Sequence, residues 1–160
     1  MKTIPLFLTL IIGLWPVGSF AQKRAPRFED YPVKETFRGK PAPIDFHSNS
    51  SARTFRTMLR ETVAHGPNFA GHYAINTWGC GTECLQIGIV DLKNGKVYMP
   101  PFAASLGIET RVHSRLLIVD PPAKLKERLH EGAPPSSAYQ SRYYLWENSK
   151  LVLVHSDRSS

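Results

Sequence analysis

The chain has 160 residues, 42% of them hydrophobic, and 20 Lys and Arg against 13 Asp and Glu, for a net charge of +7. That length makes one ordinary domain, able to bury most of its apolar surface. The positive charges are spread out, with no long run of like charge, which together with the leader described next argues against a nucleic-acid partner.

The leader is Met1-Lys2-Thr3, an apolar run from Ile4 to Trp15, then Pro16 and Gly18-Ser19-Phe20-Ala21. A positive start, an apolar middle and small residues before Ala21 predict a signal peptide over residues 1–21. The apolar run is short for a span of ~20 residues, and Pro16 interrupts it. No cysteine sits near the cut, so a lipid anchor is not expected. Cleavage leaves residues 22–160 with no transmembrane span, in the periplasm or secreted.

Residues 22–48, QKRAPRFEDYPVKETFRGKPAPIDFHS, are rich in proline and charge. They predict an extended arm, with one short strand near Ile44 to Phe46. Residues 49–156 then form a single α+β domain, and 157–160 a flexible tail. Ala52, Phe55, Met58, Leu59 and Val63 recur at helical spacing, so residues 50–67 predict a helix. Ser50 or Ser51 would cap its start, and Gly66-Pro67 would stop it. Arg53, Arg56 and Arg60 form a basic stripe on another face: a solvated surface, or a contact for anions.

From Phe69 the period changes to that of strands. Phe69 to Trp78, Cys84 to Asp91 and Val97 to Met99 are the first three, with Asn94-Gly95 marking a hairpin. Ile108 to Val112 and Arg115 to Asp120 follow, then a short polar helix over Ala123 to His130. Tyr139 to Trp146 and Leu151 to His155 close the chain. The fold expected is an N-terminal helix packed on an antiparallel meander of about seven short strands, because sequential tight turns exclude parallel crossovers.

Cys80 and Cys84, the only cysteines, bracket Gly81-Thr82-Glu83. An even count in an exported chain favours a disulfide. A redox pair of thioredoxin type is disfavoured, because the spacing is wrong and no helix N-terminus lowers the thiol pKa. A thiol nucleophile activated by His72 is a third reading. No second pair of ligands accompanies the cysteines, so neither metal nor cofactor is expected. Strand alternation puts His72, Asn76 and Trp78 on one face, with Gln86 opposite on the next strand. An aromatic ring beside imidazole and amide groups suits a sugar, a peptide or a wall fragment. The same side chains would equally serve to satisfy backbone groups of the arm.

Residues 66–98 resemble an uncharacterised family of small exported bacterial proteins with an N-F-A-G-H-Y then W-G-C-G-x-x-C pattern. Here these are Asn68 to Tyr73 and Trp78 to Cys84. The resemblance covers about a third of the mature chain; it implies export and a bacterial source, and it supplies no reaction. The expectation is therefore a non-catalytic binding or inhibitor-type module whose partner is a protein or an envelope component. A small thiol enzyme or hydrolase using Cys80 or Cys84 with His72 is the alternative. An envelope-associated structural protein using the arginine stripe is a third.

Overall fold

The computed structural model describes residues 24–132 and 139–158, so the expected leader lies outside the described residues. A short 3₁₀ turn, Phe28–Asp30, opens the arm. Helix α1 spans Arg56–Ala64 and α2 spans Pro122–His130. The strands are β1 Tyr73–Gly81, β2 Cys84–Asp91, β3 Val97–Tyr98 and β4 Ala103–Ala104, then β5 Ile108–Thr110, β6 Leu116–Val119, β7 Gln140–Glu147 and β8 Lys150–Arg158.

All pairings between these strands are antiparallel, and the class is α+β. The single meander of about seven strands is not what forms. Among the described residues eight strands divide into two sheets, β1-β2-β3 with β4 also on β2, and β5-β6-β7-β8. Pro100 and Pro101 part β3 from β4 within the first sheet. Lacking N–H groups, they cannot continue a ladder, so β3 and β4 meet β2 as two short pieces, at Ile89↔Tyr98 and at Leu85↔Ala104. The chain then leaves for the second sheet. Buried Asp120 fastens that crossing: its Oδ1 accepts the N–H groups of Ser105 (2.7 Å) and Leu106 (2.6 Å). Its Oδ2 lies 3.1 Å from Arg142 Nη2. A carboxylate this deep is tolerated because it is paired and hydrogen-bonded.

The helix is not the N-terminal element either; the arm precedes it, and α1 starts later than the serines suggest. Asn49 Oδ1 takes the Ser51 N–H, and the Ser51 carbonyl accepts from both Thr54 and Phe55. Those bonds make a turn out of the expected first helical residues, and no side chain caps the helix at Phe55.

The layers follow from strand alternation. One face of the first sheet carries Trp78 and Val90 against Phe55, Leu59 and Val63 of the α1 segment. The other carries Tyr73, Ile75, Ile87 and Ile89 against Leu117, Val119, Tyr144 and Trp146 of the second sheet. The outer face of the second sheet, Leu116, Ile118 and Tyr143, is covered by Phe28 of the arm. Burying each large side chain stabilises the fold by roughly 1.5–3 kcal/mol.

The arm is laced across both sheets by backbone bonds. Val33 N–H donates to His113 O (2.8 Å), Phe37 to Gly71 O (2.8 Å), Ala42 to Leu92 O (2.9 Å) and Asp45 to Gly95 O (2.9 Å). The strand contact expected near residues 44–46 is a single bridge, Asp45 to Lys96. Two glycines make room for the arm. A Cβ on Gly71 (φ +84°) would lie 2.5 Å from the Glu35 carbonyl oxygen, and one on Gly95 (φ +78°) would collide with the Pro43 carbonyl.

Candidate functional site

The seam between the two sheets opens at one end into a cleft with two parts. The first, about 770 Å³, is walled by Tyr98, Phe102, Pro100 and Trp146, with Lys96 and Lys150 at its edge. The second, about 660 Å³, holds His72, Lys93, Glu35 and the ion pair of Arg115 with Glu147 (3.4 Å). Trp146 and Ser149 line both parts, so the two are contiguous. Each has the size of an ordinary small-molecule site.

Local structure explains the placement. β7 and β8 meet in a tight turn with Asn148 and Ser149 at φ +47° and +60°. That primed-type geometry suits the twist of a hairpin. It brings Ser149 back over the first sheet, where the Tyr98 hydroxyl donates to its Oγ at 3.3 Å. Trp146 stands edge-on to both Tyr73 (4.9 Å) and Tyr98 (5.2 Å). The aromatic wall is thus fixed by packing before any ligand arrives.

His72 sits at the charged end. Its Nε2 lies 3.7 Å from Asp91 Oδ1, and its ring is 4.2 Å from that of Tyr73. Burial holds the His72 imidazole below the usual histidine range, opposed by the carboxylate of Asp91. Burial likewise pushes the Tyr73 phenol up. Asp91 is itself buried and accepts from Lys93 N–H (2.9 Å) and Asn94 Nδ2 (2.8 Å), which shapes the β2–β3 turn.

The other residues expected beside His72 lie elsewhere. Trp78 packs on Gly88 and Phe55 (ring centroids 5.3 Å apart) under the α1 segment, and its buried indole N–H has no partner among the described residues. Asn76 Oδ1 accepts the Thr77 N–H, and Gln86 Nε2 donates to Ile87 O. Neither the three of them nor any pair lines the inter-sheet cleft; His72 alone of the four does. Alternation carries over correctly from Ala74 to Trp78. It fails at His72 because Ala70 and Gly71 take φ of +43° and +84°, turning the chain before β1 begins. Arg53, Arg56 and Arg60 do come together, in a separate cleft beside the arm.

Cys80 and Cys84 are joined, with sulfurs 2.01 Å apart, so neither thiol is free. The disulfide closes the tip of the β1–β2 hairpin. Eight residues of extended chain put roughly 26 Å between position 80 and His72, which separates the two partners a thiol enzyme would need. Glu83 in the same tip accepts from the Tyr139 hydroxyl (2.6 Å) and Arg128 Nη2 (3.1 Å). Those bonds hold its carboxyl below the usual range. No cluster of metal-ligating side chains forms among the described residues.

No family model, curated protein or solved structure matches the chain. Its recurring-looking motif nevertheless has a structural reading residue by residue. The Asn68 amide bonds both backbone groups of Ile75 at 2.8 Å, standing in for a ladder strand. Phe69 fills the inter-sheet core, Gly71 admits the arm, and Trp78 seats α1. Among the described residues no helix is long and apolar enough to cross a membrane.

Residues that pattern reading misses are Tyr98, Phe102 and Trp146. Only the run Tyr98-Met99-Pro100-Pro101-Phe102, aromatic on both sides of a proline pair, hints at a binding wall in one dimension.

Proposed function

We propose that this chain is an exported binding module of the periplasm or cell exterior that holds a fragment of the cell wall, sugar with attached acidic peptide, in the inter-sheet cleft. The observation that carries the reading is the aromatic wall adjoining an end of mixed charge, where Lys93 stands beside His72. Tyr98 and the edge of Phe102, whose ring is stacked on Tyr144, offer apolar surface to a sugar ring, Lys93 offers charge to a carboxylate, and the His72 imidazole offers a hydrogen bond. Rigid aromatic anchors beside a few placed polar groups are what such recognition needs. The leader of residues 1–21 and the disulfide are compatible with an oxidising compartment. With both thiols bonded, the module acts by binding, as a carrier or an inhibitor.

Isothermal titration of residues 22–160 with soluble wall fragments tests this. Saturable binding is expected, weakened about tenfold by Tyr98→Ala and by Lys93→Glu, the effect of losing ~1.4 kcal/mol of contact. Absence of saturation at millimolar fragment refutes it. So does turnover of the fragment that disappears in His72→Ala.

A further inference from the structure

We propose a second site, for a phosphate ester, in the cleft between the arm and the start of α1. Arg53, Arg56 and Arg60 line this cleft of about 520 Å³ together with His47 and Phe46. Arg56 and Arg60 are one helical turn apart, and Arg53 enters from the turn before the helix. The arm supplies the opposite wall.

Clustering of unpaired arginines marks this cleft: Arg27 and Arg38 also lack an ion pair among the described residues, but here three such arginines line one cleft. Arg24, Arg111, Arg115, Arg128 and Arg142 each have a carboxylate within ion-pair distance. Among the described residues, none of the three cleft arginines has one. Their contacts orient them without neutralising them. Arg53 Nη2 lies 2.9 Å from His47 Nε2, Arg56 Nε donates to the Arg53 carbonyl (3.2 Å), and the Arg60 guanidinium stands 5.8 Å from the centre of the Phe46 ring. The cleft's carboxylate, Asp45, accepts the His47 N–H through its Oδ1 at 2.9 Å, which holds the turn of the arm.

Three like charges held together repel one another, and a multiply charged oxyanion relieves that repulsion. A phosphate monoester matches best. It carries close to two charges and three acceptor oxygens, and the planar fork of arginine bonds such oxygens two at a time. Phe46 and Ile44 give its organic part an apolar surface. The cleft shares only Asp45 with the inter-sheet cleft, so either reading can fail without the other.

Arginine Nε–H and His47 ring signals, followed by NMR at roughly physiological salt, provide the test. The probes are inorganic phosphate, glucose 6-phosphate with glucose as control, and vesicles of phosphatidylcholine with and without phosphatidic acid. Saturable shifts of His47 and the three arginines are expected with a phosphate-bearing probe. Arg56→Gln and Arg60→Gln should each weaken that response about tenfold, and Arg60→Lys less. Saturation by glucose 6-phosphate assigns a soluble ester; saturation by phosphatidic acid vesicles alone assigns a lipid headgroup. Either supports the site. Shifts spread evenly over all basic residues, no saturation with any probe, or Gln variants that respond like the parent would overturn it. Both substituted arginines are solvent-exposed, so the variants keep the fold, which the unchanged amide spectrum outside the cleft verifies.

Discussion

Gly71→Ala separates the contribution of the arm from that of the glycine's own backbone. Gly71 has φ +84°, so an alanine there meets the left-handed penalty of roughly 1–2 kcal/mol. Its Cβ would also stand 2.5 Å from the Glu35 carbonyl oxygen and 2.8 Å from Val33 Cγ1. The arm must retreat, breaking the Phe37 N–H bond to the Gly71 carbonyl, worth ~1 kcal/mol net. Reduced freedom of the unfolded chain gives back about 0.4–1 kcal/mol. The sum is a loss of about 2 kcal/mol. Gly66→Ala is the matched control, with φ +73° and nothing within 4 Å of the added carbon. It should lose only about 1 kcal/mol or less, since strain and chain entropy alone act. Urea unfolding measures both, and hydrogen exchange at Val33, Phe37 and Ala42 reports the arm directly. The reasoning is refuted if the two variants are equally stable, or if the Phe37 amide stays protected in Gly71→Ala.

Three further outcomes are expected. Reducing the Cys80–Cys84 bond, or Cys80→Ser with Cys84→Ser, should cost about 2 kcal/mol because the closed loop is so short; a protein that unfolds outright on reduction would show that the clasp holds more than its own hairpin. Burial depresses the His72 pKa from the ordinary 6.5, so below that pH the unfolded chain takes up a proton that the native one resists. Stability should therefore fall with pH from 6.5 down to the native value, and His72→Gln should flatten that part of the curve of unfolding free energy against pH. Trp78→Ala should cost roughly 3–5 kcal/mol, whereas Trp78→Phe should cost less than half as much. It removes a buried donor that bonds nothing among the described residues; equal urea midpoints for the two variants would mean the indole N–H is satisfied in solution.

What is legible in one dimension depends on how local its cause is. β2 can be read because Leu85, Ile87 and Ile89 alternate and Asn94-Gly95 follows at once. The polar helix α2 is readable from its flanking prolines and its length. The disulfide is readable from the even cysteine count and the expected export. The division into two sheets is hidden, because β4 is two alanines without alternation and the crossing depends on Asp120 meeting Ser105 from far along the chain. The arginine cleft is half legible: the stripe shows in the helical spacing, but the wall opposite comes from the arm. The inter-sheet cleft is less so, since Trp146 arrives from a segment far from the run that holds Tyr98 and Phe102 and meets it only when the two sheets pack.

The lacing of the arm also orders events in time. Residue 33 bonds residue 113, and Pro32 bridges to Ser114. The segment that emerges early in synthesis must therefore wait for partners made about eighty positions later. Contacts so distant in the chain form slowly. Until they do, Leu116, Ile118 and Tyr143 have no Phe28 over them. A chain whose last strands are made but whose arm has not yet docked would then show an uncovered sheet face, the state in which a chaperone or a second chain would find most to hold.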